Sequence, residues 1–159
     1  MSDQELSEVD NGYLRRSFAL AASARKRGNM PFGAVIIASD GRVLAEAENS
    51  TVADKDIASH AEINAIRKVC ANSAQESLAG ATIYTNCPPC PMCFGAIIRY
   101  GVSRVVYGAS WATLSASLPS KSVAFAASLE KMAESVSPAV RVVGPCLEDE
   151  GRISLAMLA

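Results

Sequence analysis

Three cysteines are packed into seven residues, Cys87-Pro-Pro-Cys90-Pro-Met-Cys93, downstream of the only histidine in the chain, His60. Cys90 and Cys93 are three apart, so on the first turn of a helix opened by Pro91 their sulfurs share one face. A disulfide scaffold would spread its cysteines along a smaller chain, and a total of five leaves one unpaired. The spacing is that of a metal or redox site in a reducing compartment, which predicts a cytoplasmic protein. With one imidazole in the sequence, a histidine ligand can come only from His60.

The chain has 159 residues, half of them hydrophobic, enough for one domain around one core. Charged residues make up 19%, below the ~25% usual for soluble chains, so part of the surface is expected in an interface of a homodimer or higher homo-oligomer. The net charge of −1 offers no cationic excess for polyphosphate, which argues against a nucleic-acid partner. No apolar run approaches the ~18 residues that span a bilayer, so no membrane role is expected. Arg15-Arg16-Ser17-Phe18 mimics the start of a twin-arginine export signal. The apolar stretch behind it is short, is interrupted by Ser23 and runs into Arg25-Lys26-Arg27, so it reads as an ordinary first helix.

Residues 1–12 read as a polar tail, with 1–10 open also to being a helix start, and 13–159 as one domain. Leu14, Phe18, Ala21 and Ala22 recur at helical spacing up to a stop at Gly28. The apolar run Gly33–Ser39, the turn Asp40-Gly41 and the stretch Arg42–Glu48 predict a β-hairpin. Helices are expected over Ser59–Cys70, Pro91–Tyr100, Ser122–Ala133 and Glu148–Leu158, with strands at Ala81–Thr85, Arg104–Tyr107 and Val140–Val143. Gly108–Ser120 reads as an irregular loop. A hairpin followed by strands alternating with helices predicts an α/β fold: a three-layer α/β/α sandwich on a five-stranded mixed sheet.

His60-Ala61-Glu62 opens one helix and Cys90-Pro91-Met92-Cys93 another. His60 and Glu62 lie about 200° apart around a helix, so they can converge only on something off its N-terminal end. A zinc ion there would take one imidazole and two thiolates and keep a position open for water, the pattern of catalytic rather than structural zinc. Two helix N-termini add positive potential that keeps the thiolates ionised. Glu62 is placed to move protons between water and a bound substrate.

His-x-Glu followed by Pro-Cys-x-x-Cys is the zinc-deaminase signature, here His60/Glu62 and Pro89/Cys90/Cys93. In these residues the chain resembles the cytidine/deoxycytidylate deaminase superfamily, in its branch of nucleobase and tRNA-adenosine deaminases. Pro31–Val35, His60–Lys68, Tyr84–Cys87, Cys90–Ile97 and Val106–Ala109 resemble bacterial guanine deaminases. The resemblance implies a cytidine-deaminase-like fold with one zinc per subunit on His60, Cys90 and Cys93, and Glu62 as proton shuttle. It further implies substrate contacts from Asn49 and the Ala61 backbone, an aromatic at Phe32 near the base, and dimers or tetramers. Trp111 is a second candidate pocket wall, although it and Phe32 suit a core or an interface as well.

The substrate implied is a small amino-heterocycle, guanine-like first. Departures bear on the ring. Pro88 replaces the usual Glu of guanine deaminases, their acidic pocket motif has no clear match in Gly108–Phe125, and Gly95–Gly101 resembles fungal cytosine deaminases about as well. Cytosine, isocytosine, amino-triazine and pterin are therefore alternative substrates. A tRNA adenosine deaminase is a third reading, disfavoured by the absence of net positive charge or a basic tail. A structural zinc closed by Cys87 would make the chain a binding module, but it leaves Glu62 without a purpose, and Pro88-Pro89 forces an extended path between Cys87 and Cys90.

Overall fold

Ser7 starts the first helix, α1 (Glu8–Lys26), several residues before the expected Tyr13. Its hydroxyl accepts from the Asp10 N–H at 3.0 Å while the Asp10 carboxylate accepts from the Ser7 N–H at 3.2 Å, a reciprocal cap that converts residues 8–12 from tail to helix. Asp10 then turns inward. It accepts from the Tyr84 hydroxyl at 2.7 Å and from Arg104 Nη1 at 2.7 Å, which ties α1 to the two strands bearing those residues. The computed structural model describes residues 6–72, 78–118 and 128–156.

Five strands, β1 (Gly33–Ile37), β2 (Val43–Glu48), β3 (Thr82–Thr85), β4 (Arg104–Tyr107) and β5 (Arg141–Val143), form one mixed sheet in the order β2-β1-β3-β4-β5. β1 runs antiparallel to β2 and β3, whereas β3, β4 and β5 are parallel. The hairpin turns at Gly41, whose φ of +91° suits glycine. Every residue of β1 is buried, as the unbroken apolar run requires when helices cover both faces. Val35 and Ile37 pack with Leu14 of α1 on one face. Ala34 and Ile36 join a larger core with Ala65, Ile66 and Val69 of α3 (Ala61–Asn72), and with Phe94 and Ile97 of α4 (Pro91–Arg99), on the other. Gly33 lets α1 approach closely, since a Cβ there would lie 2.2 Å from the Ser17 carbonyl oxygen.

The α/β sandwich is as expected, with two additions. A single turn, α2 (Thr51–Asp54), follows the hairpin, and α5 (Trp111–Ser117) stands where an irregular loop was expected. Ser110 is the reason for α5: its hydroxyl accepts from the Thr113 N–H at 3.2 Å. α6 (Leu129–Glu134) matches the end of the helix expected over 122–133, whose first part lies outside the described residues. α7 (Glu148–Ser154) closes the described chain. No helix among the described residues is long and apolar enough to cross a membrane.

Burial alone would raise the Asp10 carboxyl; Arg104, Tyr84 and Ser7 outweigh it and hold the group well below the usual carboxylate range. A depressed folded-state pKa stabilises above the unfolded value and is lost as pH falls through the folded one. Urea unfolding of the wild type should therefore show stability declining as pH drops below about 4, the ordinary carboxylate range. Asp10→Ala should cost about 2–4 kcal/mol at pH 7 and flatten that decline, because it strands a half-buried Arg104. An unchanged slope in the variant would remove Asp10 as the cause.

Candidate active site

The loop before α3 is fastened by Asp56, which accepts from the Ala58 N–H at 2.9 Å and sits 3.4 Å from Arg67. That turn delivers His60 to the end of α3 with its ring half-buried. Facing it, Cys90 is the N-cap of α4 in extended conformation, and Pro91 fills the first helical position, where its missing N–H costs nothing. Cys93 lies one turn further along and is fully buried.

The Cys93 Sγ is 3.4 Å and the Cys90 Sγ 3.7 Å from His60 Nδ1. All three ligand atoms lie within 4.8 Å of one another. Tetrahedral zinc with Zn–S ~2.3 Å and Zn–N ~2.0–2.1 Å sets sulfur and nitrogen about 3.6 Å apart, so this donor set fits the ion. Cys87 stands outside the gathered trio. It is buried in the cavity wall, where burial pushes its thiol pKa up, and it is not part of the gathered ligand trio. The hydrogen bond from Cys93, aided by the imidazole, pulls the Cys90 thiol down to about 4, and the same bond together with burial pushes Cys93 up. The site thus favours a thiolate beside the imidazole.

A cavity of about 180 Å³ opens on this cluster. Its lining is His60, Glu62 and Cys90 together with Phe32, Cys87, Pro88, Trp111, Leu114, Ser115 and Leu118, of which Phe32, Trp111 and Leu118 pack against the cluster that holds Cys87 and Leu114. Glu62 is 6% exposed, and burial raises its carboxyl above the usual range. Drug-sized sites typically measure ~300–1,000 Å³, so this one suits a single small heterocycle. Among its described lining residues there is neither lysine nor arginine.

Of the residues singled out from sequence, Phe32, His60, Glu62, Cys90 and Trp111 meet at this cavity, and Cys93 lies directly behind it. Asn49 and Ala61 are buried beside the site and are not among the lining residues. The Asn49 Oδ1 accepts from the Thr51 N–H at 3.1 Å and the Thr51 hydroxyl at 3.0 Å, so only its Nδ2 donor is left for a ligand. Sequence reasoning missed Asn86. This buried side chain accepts from the Gly33 N–H at 3.1 Å and donates to the Pro31 carbonyl at 2.9 Å, holding the chain on both sides of Phe32. Leu114, Ser115 and Leu118 come from the Gly108–Ser120 stretch expected to line the pocket, but its sequence carries no pattern that singles them out.

Residues 7–109 match the family described as the cytidine and deoxycytidylate deaminase zinc-binding region. A probable cytosine deaminase of Schizosaccharomyces pombe is 36% identical over 96% of this chain and 94% of its own. A Bacillus subtilis guanine deaminase is 41% identical over 61% of this chain and 62% of its own. A tRNA-specific adenosine deaminase of Agrobacterium fabrum is 40% identical over 61% and 63%. A solved guanine deaminase from Nitrosomonas europaea, 22% identical, superposes with a TM-score of 0.81 over 96% of this chain and 85% of that one, a likeness of fold.

Proposed function

The chain belongs to the cytidine and deoxycytidylate deaminase family and is a zinc-dependent aminohydrolase, and from that premise we propose that it releases ammonia from a free, uncharged amino-heterocycle of nucleobase size. The observation that carries this is the small apolar cavity, lined by His60, Cys90 and Glu62 together with Phe32, Pro88, Trp111 and Leu114.

His60, Cys90 and Cys93 would hold the zinc, which when bound would act as a Lewis acid and lower the pKa of a water toward about 7. Phe32 and Trp111 offer aromatic faces to a flat ring. Glu62 faces the carbon that bears the amine. It takes a proton from the attacking water and passes it to the adjacent ring nitrogen. The same carboxylate then takes the remaining proton of the newly added hydroxyl and gives it to the amine, which leaves as ammonia as the carbonyl forms. Burial of Glu62 keeps that proton from bulk water. The Asn49 Nδ2 and the Ala61 N–H are the donors we assign to the ring.

Guanine-like purine is the first candidate for the ring, on the 41% identity to a guanine deaminase through the zinc-binding half. Cytosine is the second, favoured because the match to a probable cytosine deaminase extends beyond residue 109 into the part of the cavity lining that comes from α5. The decisive measurement is kcat/KM for ammonia release from guanine, cytosine and amino-triazines under identical conditions. We expect guanine to lead by about tenfold or more, since hydrogen-bonded sites discriminate strongly between rings. Guanine inert beside a reactive pyrimidine or triazine would overturn the purine assignment. Inertness of all free bases beside a reactive tRNA would overturn the small-molecule one.

A further inference from the structure

The part of the cavity lining that comes from α5 hangs on one carboxylate that the chemistry does not use. Trp111, Leu114, Ser115 and Leu118 come from α5 and the residue after it, all beyond the family match that ends at residue 109. A helix of seven residues is too short to be stable by itself, because nucleation is costly and few bonds repay it. Glu148, the first residue of α7, supplies what is missing. It accepts from the Ser110 N–H at 2.9 Å and the Ser110 hydroxyl at 2.9 Å, and in a further close contact from the Thr113 hydroxyl. Three bonds thus converge on the first turn of α5.

α7 is itself fixed to the sheet. The Cys146 N–H just ahead of it donates to the carbonyls of Tyr107 and Gly108 at 3.1 Å each. Leu147 takes a left-handed φ of +51°, uncommon outside glycine, which reverses the chain and aims Glu148 at α5. Gly151 lies against Ala109, where a Cβ would come 2.5 Å from the backbone nitrogen, and Leu155 is fully buried under Leu114 and Cys87. At its other end, the Ser154 hydroxyl accepts from Asn86 Nδ2 at 3.0 Å, the same side chain that holds the backbone around Phe32. α7 therefore touches both the first turn of α5 and the side chain that holds the backbone around Phe32.

We infer that Glu148 is a positioning residue that sets ring selectivity, fastening α5 and so the Trp111–Leu118 stretch that lines the cavity. This rests on the cavity being the substrate site. It predicts that Glu148→Ala keeps its zinc and raises KM about 10- to 50-fold with kcat within about threefold, the signature of lost binding rather than lost chemistry. The kcat/KM ratio between guanine and cytosine should shrink. Trp111 is the only tryptophan in the chain, so its fluorescence reports the wall directly, and acrylamide quenching should rise about twofold as α5 loosens. Glu148→Gln keeps an acceptor for the Ser110 N–H and should recover part of each effect. Should Glu148→Ala fail to fold, Thr113→Val removes one of the three bonds and should show the same changes in smaller measure. A fall in kcat at constant KM with a shifted pH profile would make Glu148 part of the chemistry and overturn the inference. A lower Tm with unchanged KM and unchanged quenching would reduce it to a structural contact and overturn it equally. If the wild type deaminates no heterocycle, the substrate reading fails by itself. Quenching still decides the clamp, and no change on Glu148→Ala overturns it.

Discussion

Glu62→Gln should retain zinc and fold while lowering kcat by about 10⁴-fold or more. The side chain is buried in the cavity lining, and Gln fills nearly the same volume, so packing is preserved. What vanishes is the ability to accept a proton and give it back. General acid–base assistance to one transfer is worth ~10²–10⁴-fold, and here one carboxylate serves water, ring nitrogen and departing amine in turn. No neighbour can substitute. Among the described residues lining the cavity, the only other ionisable groups are His60 and Cys90, assigned here to the zinc, and Cys87, whose thiol burial pushes up. Ammonia release at saturating substrate, with metal content measured on the same sample, checks the result. Retention of more than about a tenth of wild-type rate would remove Glu62 from the proton path.

The parts of the molecule that were legible in the sequence are those whose causes are local. Pro91 at the first turn and Gly101 after the last bracket α4, and Asp40-Gly41 between apolar runs marks the β1–β2 hairpin. The unbroken apolar stretch of β1 announces a strand covered on both faces. His60, Glu62, Cys90 and Cys93 were readable because each pair sits within a few residues on one helix start. What was not legible depends on partners far along the chain. The start of α1 is capped locally by Ser7 and Asp10, but the inward turn of Asp10 was not legible because its partner Arg104 is 94 residues away. α5 looked like loop because its Ser- and Ala-rich sequence has no apolar period, and because the Glu148 acceptor for its first turn is 38 residues distant from Ser110. Phe32 was noticed, but not Asn86, which holds the backbone around it from across a neighbouring strand. The zinc end of the site is thus written locally, whereas the lining from α5 is held by long-range hydrogen bonds.

Cys90→Ala should lose its zinc, and Cys87→Ala should keep it. Both cysteines line the same cavity three residues apart, so the contrast separates ligand from wall more sharply than any activity assay. Structural zinc sites of four ligands bind with ~10–16 kcal/mol, so one ligand is worth about 3–4 kcal/mol and its removal should weaken affinity ~10²–10³-fold. After dialysis against a weak chelator, Cys90→Ala should fall from about one zinc per subunit to under a tenth of that. Cys87→Ala deletes a buried sulfur that is not part of the His60–Cys90–Cys93 trio. Its cost should be that of a small cavity, about 1 kcal/mol in urea unfolding, with metal content unchanged. The reverse pattern, zinc lost with Cys87 and kept without Cys90, would displace the ion from that trio. Glu62 would then have no activated water to work on, because its carboxylate faces the trio and not Cys87 alone. Metal content in these two variants therefore tests the ligand set and the placement of the proton carrier together.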